Sequence, residues 1–303
     1  MDHGEYLRLE TRRSFLVGQV RLSPISHSVA TSKIITSSFI SCSDVGWVVG
    51  HSFIVYGPLL HRLTTLMYEG KPIGTPDACN FWRTIERHNV SVLLTAPTAI
   101  RVIKRADPQG LMPVKFNMSK LRHIFLVGER ADPDTVRWAE DTLKVPIRDH
   151  WWQTETGWPV CANMIGLDGY IPVKYGSTYR PCPGYDVKVL DSDHKEAEPG
   201  KLGTLAIKLP LPPGSMLTLY NNDKRYLSSY MEAIPGYYDT GDAGIIDSDG
   251  YVHVMSRTDD VINVAGHRLS CGAMEEVRPH HFAPLFLHDE YPDKIHNFTF
   301  SRS

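Results

Sequence analysis

The run RDHWWQTETGWP, Arg148 to Pro159, sets three of the chain's six tryptophans beside Glu155, a carboxylate flanked by Thr154 and Thr156 and closed by Gly157. A carboxylate accepts hydrogen bonds and threonine hydroxyls both donate and accept, so this turn could hold a polar ligand against a wall of indole rings. The same residues also suit two tryptophans packed as core at a strand end and followed by a threonine-rich loop. The run by itself does not separate the two readings, and the rest of the chain has to.

Other chemistries are poorly served. The five cysteines, Cys42, Cys79, Cys161, Cys182 and Cys271, are scattered without a C-x-x-C pair, which argues against zinc or a redox dithiol and for free thiols in a reducing compartment. The histidines of RPHHFAPLFLHDEYPDKIH are irregularly spaced among prolines, which does not suit a metal site. A formal charge of -2 with no basic block argues against nucleic acid or a membrane surface as partner. No apolar run reaches the roughly 18 residues needed for a membrane span. At 303 residues, 42% hydrophobic and 22% charged, the chain suits one large or two smaller globular domains. Thr11 to Ser43 has no acidic residue and carries Arg12, Arg13, Arg21 and Lys33, as in an organelle transit segment. Asp2, Glu5 and Glu10 depart from that pattern, so a disordered leader is the alternative.

The elements that must position the turn follow from periodicity. VSVLLT from Val90 is an apolar run that feeds a helix through Pro97, and Leu121 to Arg130 is a buried strand ending in Gly128. Asp132 and Pro133 start a helix that sets Val136, Ala139 and Leu143 on one face, and Val145 to Trp152 is a further strand. Such alternation predicts a parallel sheet covered by helices, with ligands beyond the C-terminal strand ends, where Gly128-Glu129 and the WWQTETG turn both fall. After about Tyr179 the short alternating runs YDVKVLD, KLGTLAIKL and YVHVMSR predict an antiparallel sheet or small barrel.

Five segments then agree with one another. DVGWVVGHS (residues 44–52), LVGER (126–130), WWQTETG (151–157), YDTGD (238–242) and SRTDDVINVAGHRLS (256–270) resemble, in order and spacing, the AMP-forming acyl-CoA synthetases of the adenylate-forming superfamily. The similarity is to the short-chain acetyl/propionyl branch, most of all its mitochondrial propionyl-type members, and covers residues 42–276. It implies an α/β fold that is a partial large domain of the adenylate-forming type: a parallel α/β subdomain over 42–178 and a small antiparallel β-barrel over 179–256. A hinge and the start of a lid follow over 257–276, between a non-matching leader, 1–41, and a non-matching tail, 277–303.

The family joins a short-chain carboxylate to coenzyme A through an acyl-adenylate, using ATP and Mg²⁺ and releasing pyrophosphate and then AMP. The resemblance assigns catalytic roles to Thr154, facing phosphate, and Glu155, holding Mg²⁺ through hard oxygens. Gly128, Glu129, Arg130, Asp149, His150, Trp151, Trp152 and Gln153 are assigned to adenine and its walls. Asp242 is assigned to the two ribose hydroxyls, the alternative being a turn aspartate in TGD, and Arg257 and Arg268 to ribose or phosphate. Ala265 and Gly266 match the loop beside the coenzyme A thiol, and Asp259 the hinge. Val48, Val49, Val127 and Trp152 would line the acyl pocket. There the indole limits the acid to two or three carbons and Val49 favours propionate, by a modest margin, since one methylene is worth about 0.8 kcal/mol.

The family's glycine-rich phosphate loop has no counterpart, since Gly4 and Gly18 are the only glycines before Gly46, and the lid with its lysine is absent after Glu276. The expectation is therefore a chain truncated at both ends, with an unpaired sheet edge and little or no ligase activity, each lost electrostatic donor being worth about 10²- to 10³-fold in rate. A non-catalytic AMP- or acyl-adenylate-binding protein that pairs with a full-length enzyme is the alternative. Adenylation with another acceptor and a carbohydrate-binding module on exposed tryptophans are more distant ones. The mitochondrial matrix is the expected compartment, the cytoplasm its alternative.

Overall fold

The computed structural model describes residues 38–258 apart from 62, 75 and 165–171, together with the backbone of Val261–Val264 and His267–Ser270. Its first layer is a parallel sheet of β1 (Ser38–Ser41), β2 (Thr64–Met67), β3 (Val90–Thr95), β4 (His123–Leu126) and β5 (Ile147–Asp149), in the order β2-β1-β3-β4-β5. All six residues of β3 are buried, because a central parallel strand covered on both faces has no polar side to offer.

Side chains of a strand alternate between faces, and each face has its own core. Ile40, Leu93, Ile124 and Leu126 pack beneath helices α1 (Asn80–His88), α2 (Pro97–Ala106) and α3 (Pro133–Leu143) through Trp82, Ile100 and Ala139. Phe39, Val92, Leu94, Phe125 and Val127 face the other way, onto Phe53 and Trp158. Phe53 comes from a helical run formed by Val48–Gly50, a π-helix over His51–Tyr56 and a last turn over Gly57–Leu60. The start of α3 follows its local sequence: Asp132 accepts from the Thr135 N–H at 2.8 Å, and Pro133 takes the first helical position, where no N–H is needed. Among the described residues β2 is an outer strand, and its Met67 and Leu59 of the helical turn beside it are 70% and 57% exposed. No helix among the described residues is long and apolar enough to cross a membrane.

The expected strand Val145–Trp152 is two strands. The His150 N–H bonds the Leu126 carbonyl at 3.3 Å, at the end of the parallel ladder. Beyond it β6 (Trp151–Trp152) pairs antiparallel with β7 (Pro159–Ala162), which pairs with β8 (Arg180–Pro181). The chain changes sheet at His150, so the adjacent tryptophans enter different cores. Trp152 packs against the Phe53 layer, and Trp151 joins Val189, Leu205 and Tyr238 in the next.

That next layer is a four-stranded antiparallel sheet ordered β12-β11-β10-β9, made of β9 (Val187–Leu190), β10 (Gly203–Lys208), β11 (Tyr237–Ile246) and β12 (Val252–Arg257). The barrel expected over 179–256 thus takes the form, among the described residues, of open antiparallel sheets. The ten-residue β11 runs through the TGD segment, where a turn was the alternative reading. Gly241, at φ 64°, lies in a stretch where the pairing with β10 and with β12 shifts register, and this bulge disguises the strand. Helix α4 (Asp223–Tyr230) packs on this sheet, and β13 (Val261–Val264) pairs antiparallel with β14 (His267–Ser270).

Candidate functional site

A cavity of about 400 Å³ opens where the parallel sheet ends and the antiparallel layer begins, and it is lined by residues 128–130, 149–155, Thr178, Asp242 and 254–257. It brings together Gly128, Glu129, Arg130, Asp149, His150, Trp151, Trp152, Gln153, Thr154, Glu155, Asp242 and Arg257, which lie far apart in the chain. Arg268 lies on β14 with its side chain outside the described residues, and Asp259, Ala265 and Gly266 lie outside them as well. Thr178, Val254, Met255 and Ser256 line the cavity without having been singled out from sequence. The last three ride on β12 simply because it pairs with β11 beside Asp242.

Asp242 is the hub of the polar wall. It is 7% exposed; Oδ2 accepts from Trp151 Nε1 at 2.9 Å and Gln153 Nε2 at 2.7 Å, and Oδ1 accepts from Arg257 Nη1 at 3.1 Å. Burial pushes its pKa up, while Arg257, Trp151 and Gln153 oppose that by favouring the charged form. Three donors leave part of the carboxylate's acceptor capacity open, on Oδ1. Arg257 also donates to the Thr240 carbonyl at 2.9 Å, which ties the guanidinium across Gly241. A Cβ at Gly241 would meet Arg257 Nη2 at 2.4 Å, at a φ of 64° that L residues avoid. Gly241→Ala is expected to destabilise the fold by about 1 kcal/mol and to displace Arg257, measurable as a lower melting temperature.

The TETG turn is held by one of its threonines. Thr156 is buried and bonds the carbonyls of Gln153 and Trp158 at 3.0 and 2.8 Å, whereas Thr154 is exposed and lines the cavity. Glu155 is half-buried; its backbone carbonyl accepts from Met216 N at 2.7 Å and its Oε1 from the Tyr230 hydroxyl at 3.1 Å. Tyr230 stacks on Tyr238 with centroids 5.7 Å apart and planes at 6°, and the Tyr238 hydroxyl donates to Gln153 Oε1 at 2.9 Å. Burial raises the pKa of both phenols, as does the nearby Glu155 charge, so both stay protonated donors. Glu155 and Asp242 are therefore joined through Tyr230, Tyr238 and Gln153. Neither tyrosine carried a sequence signal beyond hydrophobic patterning.

Across the cavity the chain passes Gly128 at φ 99°, where an added Cβ would meet nothing within 4 Å, so the backbone there borders open space. The Glu129 carboxylate accepts from Thr98 N at 2.5 Å and from the Thr98 hydroxyl, capping the first turn of α2 and anchoring the loop. Asp149, 7% exposed, accepts from the N–H groups of Ala131 (3.3 Å) and His150 (2.9 Å), and burial pushes its pKa up to about 8.

Of the residues expected around an acyl group, Val49, Val127 and Trp152 gather in the Phe53 layer, where Trp152 also borders the cavity. Val48 is half-buried and stands outside that cluster, since successive residues of a helix point about 100° apart.

A profile of AMP-binding enzymes matches residues 15–218. An uncharacterized protein of Pseudomonas aeruginosa is 54% identical over 234 residues, which is 77% of this chain and 37% of that protein. The mitochondrial acyl-CoA synthetase short-chain family member 3 of Bos taurus is 50% identical over 236 residues, 78% of this chain and 34% of that one. The propionate–CoA ligase of Escherichia coli K12 is 43% identical over 244 residues, 79% and 38% respectively. The chain thus spans little more than a third of the length of these relatives. With its profile match covering most of the chain and its relatives drawn from the short-chain acyl-CoA synthetases, the protein belongs to the AMP-binding enzyme family.

Proposed function

We propose that the cavity binds the AMP moiety of ATP and that the site serves AMP-forming activation of a short-chain carboxylate, propionate or acetate, for transfer to coenzyme A. The observation that carries this is the buried Asp242 carboxylate, ringed by Trp151, Gln153 and Arg257 opposite the open backbone at Gly128. A carboxylate with one acceptor position left on Oδ1 suits a ribose hydroxyl, and a glycine bordering open space lets a flat base lie against the backbone. Trp151, Gln153 and Arg257 orient Asp242; Glu129 anchors the adenine-side loop. Trp152 closes the site toward the acyl group and excludes water from it.

In the reaction a carboxylate oxygen attacks the α-phosphorus, the bond to pyrophosphate breaks, and the thiolate sulfur of coenzyme A then displaces AMP at the acyl carbon. The residues fit Mg²⁺ at Glu155, since this ion binds through one or two carboxylates plus water and substrate phosphates. No group of three or more His, Cys, Asp or Glu that could hold a metal by itself occurs among the described residues. Bound Mg²⁺ would neutralise charge on the phosphate oxygens. Thr154 donates to phosphate in this reading, and Tyr230 holds the Glu155 carboxylate in one orientation. Arg130 and Arg257 are the cations among the lining residues, and no lysine is among them. Roles for Arg268 at phosphate, Ala265 and Gly266 at coenzyme A and Asp259 as hinge rest on the resemblance alone.

The domain boundaries at 178, 256 and 276 and delivery to the mitochondrial matrix are further parts of this proposal. The first rests on the change of sheet type along the chain, the second on leader composition and on the names of the animal relatives.

Binding and turnover are tested separately. Calorimetry is expected to detect AMP binding and tighter binding of a propionyl-adenylate mimic; no binding of either would overturn the site assignment. Pyrophosphate release with propionate, ATP and coenzyme A reads the whole reaction. If the mimic binds without turnover, the chain is an AMP- or acyl-adenylate-binding protein. Trp152→Gly is expected to shift preference in a graded acyl-adenylate series toward longer chains, by about 10-fold or more per pair of added methylenes.

A further inference from the structure

The end of the parallel sheet opposite the cavity carries a charge that the chain as a whole does not. Between Arg87 and Arg122 there are seven lysines and arginines and one acid, Asp107, in a chain whose formal charge is -2. The basic residues are spaced out in sequence, and it is the topology that gathers them. In a parallel layer each connection returns to the end where the strands begin. The C-terminal ends of α1 and α2, and the loop from Asp107 to Leu121 that leads into β4, therefore lie together there.

Contacts hold that loop across the end of the layer. The Asn117 N–H donates to Glu86 Oε1 at 2.8 Å, the Arg83 guanidinium lies 6.0 Å from the centre of the Phe116 ring, and Trp138 Nε1 on α3 donates to the Pro108 carbonyl at 2.9 Å. Asp107 is buried and turned into the loop's own backbone, where it accepts from the Leu111 and Met112 N–H groups at 3.0 and 2.6 Å. The side chains of Arg87, Lys104, Arg105, Lys115 and Lys120 make no ion pair, hydrogen bond or ring contact among the described residues, and all but Lys104 are exposed. Leu111 and Val114, on the same loop, are 56% and 74% exposed. Cations in a helix's last turn complement its dipole, which accounts for Arg87, Lys104 and Arg105. It does not account for Lys120, nor for two aliphatic side chains left bare among the charges.

We propose that this end of the sheet docks on an anionic lipid surface, the cations facing phosphate headgroups and Leu111 and Val114 entering the boundary between headgroups and acyl chains. Charge spread over two helix ends and a loop suits a surface that presents many anions at no fixed spacing. An apolar side chain amid basic ones gains contact with acyl chains, whereas an acidic polypeptide offers it mainly carboxylates. The cavity, at the other end of the strands, faces away from the lipid in this orientation. Docking of this kind is independent of what the cavity binds.

Cosedimentation of the full chain with vesicles tests this. Binding is expected to phosphatidylcholine vesicles containing roughly one-third phosphatidylserine at about 0.1 M salt, and its loss on phosphatidylcholine alone or at about 0.5 M salt. Lys115→Glu combined with Lys120→Glu is expected to weaken binding about 25-fold or more, since each cation near such a surface contributes roughly a 5-fold gain. Leu111→Ser combined with Val114→Ser is expected to weaken it about 10-fold. Thermal melts check that both variants fold. Absence of binding by the unaltered protein, or equal binding to both kinds of vesicle, overturns the proposal. Binding to soluble poly-glutamate as tight as to the vesicles, with no loss in the folded Leu111→Ser, Val114→Ser variant, also overturns it and assigns the face to an acidic polypeptide.

Discussion

Asp242→Ala is expected to lower the affinity for AMP by roughly 10- to 100-fold, the loss of the one hydrogen bond that the open position on the charged acceptor can take. The carboxylate is the only acceptor among the described residues shared by Trp151 Nε1, Gln153 Nε2 and Arg257 Nη1. Its removal also leaves the buried Trp151 Nε1 without an acceptor, while Gln153 and Arg257 keep the Thr240 carbonyl, and costs about 1 to 2 kcal/mol of stability. Asp242→Asn separates the two effects. Its amide oxygen keeps one acceptor position, so the fold is largely preserved, while a ribose hydroxyl loses the charge-assisted bond. Calorimetry with AMP, read beside urea unfolding of both variants, checks the expectation. Unchanged AMP affinity in a folded Asp242→Asn would remove ribose recognition from this residue. Because burial raises the Asp242 pKa, AMP affinity is also expected to fall with acidification at a higher pH than an exposed aspartate would give.

Asp149 has the second large effect, and its sign is unusual for an aspartate. Its folded pKa of about 8 lies above the ordinary value of 3.8. Between those two values the folded state holds more protons than the unfolded state, so stability declines as pH rises from about 4 through about 8 and levels off above that. Asp149→Asn cannot titrate. It is expected to gain stability relative to the unaltered protein by several kcal/mol (on the order of 5) across that window, the Ala131 and His150 N–H groups having already been offset by burial in the raised pKa. Urea unfolding of both proteins at about pH 5 and about pH 9 measures the difference. An equal pH slope in the two proteins would show that Asp149 is ionised throughout.

Features that rest on neighbours in sequence were legible before the structure. The cap at Asp132 with Pro133, the buried run Val90–Thr95 and the alternation of β9, β10 and β12 need only local geometry and hydrophobic period. The motif residues were legible too, as were the C-terminal strand ends where they fall. Strand β11 was not, because a glycine at positive φ and a bulge interrupt the alternation that marks a strand. Nor was the break at His150, where backbone pairing switches from Leu126 to the partner strand β7 with nothing in the side chains to announce it.

What the sequence determined by itself was the family resemblance and the residue types of the proposed site: a carboxylate in a threonine turn, an aspartate in TGD, a glycine at a strand end and an indole beside the turn. Their chemistry is carried by residue types, and the fold class by short-range periodicity. Only the tertiary structure decided how those residues are held. Tyr230 reaches Glu155 from 75 positions away and Trp151 reaches Asp242 from 91, and each pair meets only because the β6-β7 segment shares one core with the four-stranded sheet and the helix packed on it. The adjacent tryptophans likewise serve separate cores, and His150 stands buried among aromatics. Burial and partnership are properties of the assembled layers, and no single segment contains them.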